Sequence, residues 1–331
     1  MKWSIEKANE WYSKVGWAIG FNYVTSTAIN STEMWQKETY DAKSIDRELA
    51  LAAKTGYNSC RVFLQFLVWE TERDGFLDTF DNFLSLAQQH GISVMPILFD
   101  DCAFSGKEEP YLGKQQDPVP GIHNSGWTPS PGFKMNANSS YDEILEAYVK
   151  AIIKRFATDN RIFVWDLYNE PSNSNQGTKS FPLVRNSFKW ARECAPIQPL
   201  TVGVWEYQED WEMELADLSD IISFHDYGPI ETTRKRVELL SSYKRPMFCT
   251  EWLHRQSGNN FKSHLPYYKE KNISVYNWGL IQGKTQTNLS WNKDENCYNG
   301  LPKIWQHDLF YNNLEPYDPE ELSLIREITT G

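Results

Sequence analysis

Eight short apolar runs, at residues 17–23, 57–64, 91–98, 161–168, 199–205, 220–225, 246–252 and 273–278, limit what this chain can become more than any other feature. They are rich in β-branched and aromatic residues and lack the alternation of strands with one wet face. Near-continuous apolarity is expected of parallel strands covered on both sides. The stretches between them carry helical spacing. Residues 41–55 place Ile45, Leu49 and Ala52 on one stripe and stop at Gly56. Residues 79–90 do the same with Phe80, Phe83, Leu84 and Ala87 before Gly91, and residues 141–156 with Ile144, Leu145, Tyr148 and Ile152. Further helical stretches lie near residues 183–194, 231–243, 261–271 and 319–328.

Strands alternating with helices fit a closed barrel or an open doubly wound sheet. An open dinucleotide-binding sheet would carry a glycine-rich phosphate cradle after its first strand. Here the first run continues through Gly20-Phe21-Asn22-Tyr23, with no such cradle. The reading is therefore a (β/α)8 TIM barrel of the α/β class. A length of 331 residues suits a single barrel domain spanning residues 1–331, and no repeat or linker divides it. Residues 99–140 cluster Pro and Gly with little periodicity and include His123 and Trp127. A loop that long after strand three is expected to overhang the active face as a lid or binding loop.

A net charge of −11 repels phosphate, which disfavours nucleic acid and anionic membrane surfaces as partners. No run is long and apolar enough for a membrane span. A neutral oligosaccharide or polysaccharide fits better, and the 14 Trp and 17 Tyr supply rings for stacking on sugars. A monomer is expected. Cys60, Cys102, Cys194, Cys249 and Cys297 show no paired spacing, so neither a disulfide framework nor a zinc site is expected, and Cys60 and Cys249 read as small core residues. Met1-Lys2-Trp3-Ser4-Ile5-Glu6-Lys7 lacks the apolar stretch of a signal peptide. The chain would be cytoplasmic as it stands, or periplasmic or secreted if a leader had been removed.

In a barrel of this kind the reactive side chains come from the C-terminal ends of the strands. Reading the polar residues there gives Asn22, Arg61, Asn169, Glu170, His225, Tyr227 and Glu251, together with Trp278. Two are carboxylates on separate strands, the fourth and seventh, across the barrel mouth from each other. Glycosidic cleavage needs such a pair, one acid to protonate the leaving oxygen and one carboxylate beside the anomeric carbon.

Trp165-Asp166-Leu167-Tyr168-Asn169-Glu170-Pro171 resembles the fourth-strand Asn-Glu-Pro motif of clan A retaining glycoside hydrolases, particularly family 5 cellulases and their relatives. Gly20-Phe21-Asn22, Arg61-Val62, His225-Asp226-Tyr227, Thr250-Glu251-Trp252 and Trp278 resemble the family's other strand-end residues, in order. Two stretches depart from the pattern: the long loop after strand three, and Lys284-Thr285-Gln286-Thr287.

The resemblance implies Glu170 as acid/base and Glu251 as nucleophile, without cofactor or metal. Arg61, on an otherwise apolar strand, would be a costly buried charge unless it steadies the Glu251 carboxylate. Asn169 is expected on the sugar 2-hydroxyl, with His225 and Tyr227 orienting the carboxylates and Trp278 beneath the sugar. Trp35, Trp127, Trp205 and Trp291 are candidates for further subsites. Asp100 and Asp101 read as a solvated turn before they read as sugar ligands.

Other chemistries fit less well. A metal-dependent barrel hydrolase would need clustered histidines, and the six His do not cluster. A Schiff-base aldolase would need an interior lysine, and Lys284 lies beyond the last strand. A non-catalytic carbohydrate-binding barrel is the stronger rival, opposed by the two intact glutamates, and transglycosylation would use the same residues.

Overall fold

A computed structural model describes residues 1–205, 210–296 and 302–330. All eight expected strands form: β1 (Ile19–Tyr23), β2 (Ser59–Phe63), β3 (Ser93–Ile97), β4 (Trp165–Asn169), β5 (Leu200–Gly203), β6 (Ile222–His225), β7 (Met247–Trp252) and β8 (Ser274–Trp278). They pair in parallel in the order β5-β4-β3-β2-β1-β8-β7-β6. A Val204–Phe224 bridge, with the His225 amide donating to the Val204 carbonyl at 3.1 Å, brings the two ends together. The architecture is a nearly closed (β/α)8 barrel.

The helices pack their apolar stripes on the outside of the strands, as their spacing dictates. Ala42–Thr55 is capped by Asp41, whose side chain accepts from the Ser44 amide, and it stops where Gly56 turns left-handed at φ 110°. Asp74–Gln89 begins earlier than its apolar spacing marks, because its first turn carries Asp74, Gly75 and only one buried residue, Phe76. Two further segments were silent in the sequence. Asp210–Leu218 is helical, and Ile5–Val15 closes the bottom of the barrel. There Trp11 meets Phe163 at 5.2 Å between centroids, and Tyr12 meets Phe248 at 5.5 Å. With the bottom sealed, the functional groups are left to the C-terminal face.

Cys60 and Cys249 are buried core residues, while Cys297 lies outside the described residues. Among the described residues no helix is long and apolar enough to cross a membrane.

Candidate active site

Glu170 follows the last residue of β4, and Glu251 sits inside β7. Each is nearly inaccessible, and a carboxyl oxygen of each lies within 4.8 Å of the other and of a His225 ring nitrogen. Strand register explains why both reach one point. Pairing slips between Asp166 and Asn169 on β4, and between Cys249 and Trp252 on β7. With a side-chain period of two, Asp166 and Asn169 would face opposite sides of a regular strand; the irregularity turns both towards Arg61. Glu170 itself adopts φ 45°, a left-handed conformation disfavoured for a residue with a side chain. Its amide donates to the Gly203 carbonyl at 2.8 Å, and its own carbonyl accepts from the Asn173 amide at 3.0 Å, which fixes the turn.

The two carboxyls are held differently. Glu251 accepts from Arg61 Nη1 at 2.8 Å on one oxygen, and from Tyr227 Oη at 2.8 Å and Trp278 Nε1 at 3.0 Å on the other. The guanidinium and the indole are pure donors, so this arrangement favours an ionised group. Glu170 is bonded to His225 Nδ1 at 2.6 Å, Cys102 Sγ at 3.2 Å and Asn173 Nδ2 at 2.5 Å. Burial raises the pKa of both carboxyls above the usual carboxylate range. For Glu251 the Glu170 charge adds to the rise, while Arg61 and the Tyr227 hydrogen bond oppose it. Burial lowers the His225 imidazole to about 3, so it is neutral at ordinary pH.

Arg61 is fully buried, and it meets five acceptor contacts. Besides Glu251 it donates to Asn22 Oδ1 at 2.7 Å, to Asn169 Oδ1 at 2.6 Å and twice to Asp166 Oδ2, at 3.0 and 2.8 Å. Gly203 makes room for this network. A Cβ there would come within 3.0 Å of Arg61 Nη2 and 3.1 Å of His225 Nε2. A side chain at position 203 would therefore push the network apart.

The pocket holds about 670 Å³. Of the residues expected from the sequence, Asn169, Glu170, Trp127, Trp205, His225, Tyr227, Glu251, Trp278 and Trp291 line it. Arg61, expected to steady Glu251, and Asn22 do not line it: both lie beneath the floor, where Asn22 donates to the Thr250 carbonyl at 2.8 Å and steadies Arg61. Asn169 faces the pocket with its amide already committed, the oxygen to Arg61 and Nδ2 to Asp100 at 2.8 Å. Trp35 is packing, its indole donating to the Phe63 carbonyl at 2.6 Å. Asp100 and Asp101 correct the solvated-turn reading. Asp100 is buried, anchoring Asn169 and the Trp127 indole, and Asp101 is buried under Tyr168, Ser180 and Asn136.

Several functional residues escaped sequence reasoning. Asp166 could have been found, because a buried Arg61 demands more than one acceptor and Asp166 is the acid within β4. Cys102, Asn173 and His307 carry no such signal, since only loop paths bring them to the pocket, whereas Phe63 ends β2 and was open to the same strand-end reading.

Among the described residues, Glu170, His225 and Glu251 are the only three His, Cys, Asp or Glu side chains whose donor atoms converge closely enough for a metal ion. Their facing atoms are already engaged with each other and with Arg61, Tyr227 and Trp278.

A family model described as cellulase, glycosyl hydrolase family 5, matches residues 18–291. No curated protein sequence matches the chain. Among solved structures, the exo-β-1,4-mannosidase of Opitutaceae bacterium strain TAV5 superposes with TM-score 0.66 at 16% identity, over 95% of this chain and 60% of that one. The chain thus spans little more than half of that protein. The family 5 mannosidase of Rhizomucor miehei gives TM-score 0.61 at 12% identity, over 95% of this chain and 92% of that one. The endo-β-1,4-mannanase of Thermotoga petrophila gives 0.61 at 12% identity, over 97% and 77% respectively.

Proposed function

The chain belongs to glycosyl hydrolase family 5, and from that premise we propose that this glycoside hydrolase cleaves β-linked glycans of glucan, xylan or mannan type by double displacement, retaining the anomeric configuration. The observation that carries the reading is the separation of the two glutamates. Retaining enzymes hold their carboxyl groups about 5 to 5.5 Å apart, whereas inverting enzymes leave room for a water between acid and base. A closest approach within 4.8 Å supports direct attack.

In the first step the Glu251 carboxylate attacks the anomeric carbon as the glycosidic C–O bond breaks, and Glu170 gives its proton to the departing oxygen. In the second, water attacks the glycosyl ester, its proton goes to Glu170, and the Glu251 carboxylate is released. The unequal surroundings support this division of roles: three donors hold Glu251 negative, and none of the groups bonded to Glu170 carries a full positive charge. Formation of the ester removes the Glu251 charge, which lowers the Glu170 pKa when it must accept a proton. Trp278, Trp127 and Trp205 supply the aromatic walls for sugar rings.

The three structural neighbours carry names of mannose-directed enzymes, so β-mannosides head the substrate screen, followed by β-glucosides and β-xylosides. Incubation with the 2-deoxy-2-fluoro glycosyl fluoride of the preferred sugar is expected to place an adduct on Glu251, located by peptide mass spectrometry. An adduct on another residue overturns the assignment. Failure to hydrolyse any aryl β-glycoside of the three sugars, or a β-linked oligosaccharide of them, overturns the substrate reading.

A further inference from the structure

The two stretches that depart from the family pattern are bonded to each other. The loop after β3 and the loop after β8 meet along one side of the barrel mouth. The Asn124 amide donates to the Thr285 carbonyl at 2.8 Å, and Gln286 Nε2 donates to the carbonyls of Val119 and Ile122 at 2.8 and 3.0 Å. Asn296 Nδ2 reaches the Gly121 carbonyl at 3.0 Å, and His123 Nδ1 bonds the Leu289 carbonyl at 2.7 Å. At the pocket surface the Trp291 indole donates to His123 Nε2 at 3.2 Å.

The loop after β1 is tied into the same structure. Lys284 pairs with Glu33 at 2.6 Å, and Asn30 Nδ2 donates to Gln115 Oε1 and to the Gly126 carbonyl, both at 2.9 Å. Three loops, those after β8, β1 and β3, are thereby laced into one wall. None of the residues of the β1 loop lines the pocket.

The position of the wall relative to the two glutamates gives it a meaning. Glu170 protonates the oxygen that leaves, so the departing part of the substrate lies on its side, past Asn173 and Trp205. Glu251 bonds the anomeric carbon of the sugar that stays. That sugar sits beside Trp278, whose indole is hydrogen-bonded to Glu251, and the aromatic wall continues from there. Trp127 stands at 82° to Trp278 with centroids 5.9 Å apart, His307 lies 6.4 Å from it, and Trp291 stands 5.0 Å from Tyr227. On this side the pocket is lined by His123 and Asn124 of the loop after β3 and by Trp291 and His307 of the loop after β8, so a glycan running on in this direction meets the laced loops.

We propose that the β1–β3–β8 clasp ends the binding site one sugar beyond the point of cleavage, so that the enzyme removes single terminal sugars from non-reducing ends. This inference rests on the assignment of Glu170 as acid/base and Glu251 as nucleophile, and it fixes the mode of action at that site.

The test uses β-1,4-mannotetraose and cellotetraose, each reduced with borohydride so that the former reducing end is marked. The protein is first assayed on aryl β-mannoside and β-glucoside, and the tetrasaccharide alditol of the accepted sugar is then digested briefly. The expected first products are the free monosaccharide and the trisaccharide alditol. Disaccharide with disaccharide alditol as first products, or release of the monomeric alditol first, overturns exo action while leaving the hydrolase reading intact. No hydrolysis of either aryl glycoside or either alditol, nor of an aryl β-xyloside, overturns the underlying reading instead. Gln286→Ala removes two bonds of the lacing away from the catalytic groups and is expected to admit internal cleavage, seen as new disaccharide alditol. An unchanged product pattern in a folded Gln286→Ala protein overturns the clasp as the cause.

Discussion

Asp166 holds Arg61 through two hydrogen bonds to a single carboxylate oxygen, 3.0 Å from Nε and 2.8 Å from Nη2, leaving Nη1 to carry Glu251. Both ends of the pair are fully buried, so neither charge is solvated by water. One guanidinium thus bridges two carboxylates from different strands, and its charge favours the ionised Glu251 in a site that otherwise favours the neutral form.

Arg61→Ala is expected to destabilise the fold by about 3–5 kcal/mol, the range for removing one partner of a buried pair. The loss leaves Asp166 and Glu251 buried without a counter-charge. Thermal or denaturant unfolding at neutral pH measures it, and a change under about 1 kcal/mol, the ceiling typical of exposed pairs, would show that water reaches the site.

The rate should follow a bell against pH. Its acid limb reports ionisation of Glu251 and its alkaline limb deprotonation of Glu170, as apparent values of the coupled pair. Because burial raises both carboxyls, both limbs lie above the ordinary carboxylate range. Measured kcat/KM from pH 3 to 9 checks this, and an acid limb at or below about 4.3, the unperturbed Glu value, contradicts it.

Cys102 lends its thiol to Glu170, and that hydrogen bond lowers the Glu170 pKa against the dominant effect of burial. Cys102→Ala is expected to move the alkaline limb to higher pH, with the acid limb much less affected. Cys102→Ser, whose hydroxyl restores a donor, should return the limb towards its original position.

Asp308 is buried, its carboxyl accepting from Thr287 Oγ1, and burial lifts its pKa to about 7. A folded pKa above the unfolded value of 3.8 gives stability that is present at low pH and lost as pH rises towards 7. Asp308→Asn keeps the shape and suits the left-handed backbone at φ 53°. Its Tm should exceed that of the wild type at pH 8 by more than at pH 5. A difference independent of pH would mean that Asp308 does not titrate in this range.

Chelation is expected to leave activity unchanged, because the carboxyl and imidazole atoms that converge between Glu170, His225 and Glu251 already bond each other or Arg61, Tyr227 and Trp278. Activity lost on dialysis against EDTA and restored by a divalent cation would place an ion among them.

The sequence by itself determined the barrel and the two carboxylates. Eight unbroken apolar runs can be buried only as a parallel sheet covered on both faces, and strand ends are local in sequence, so Glu170, Glu251, Tyr227 and Trp278 could be read directly. The joint hold of Asp166 and Asn169 on Arg61 could not, because a register slip on β4 turns both side chains inward, and a slip depends on the neighbouring strand. Tertiary structure alone decided that Asp100 and Asp101 are buried, that Trp35 is packing, and that Cys102 touches the acid. It also brought Gln286 to Val119, 167 positions away. Long loops have no periodicity to read, and their course is set by hydrogen bonds to segments that only the closed barrel makes neighbours.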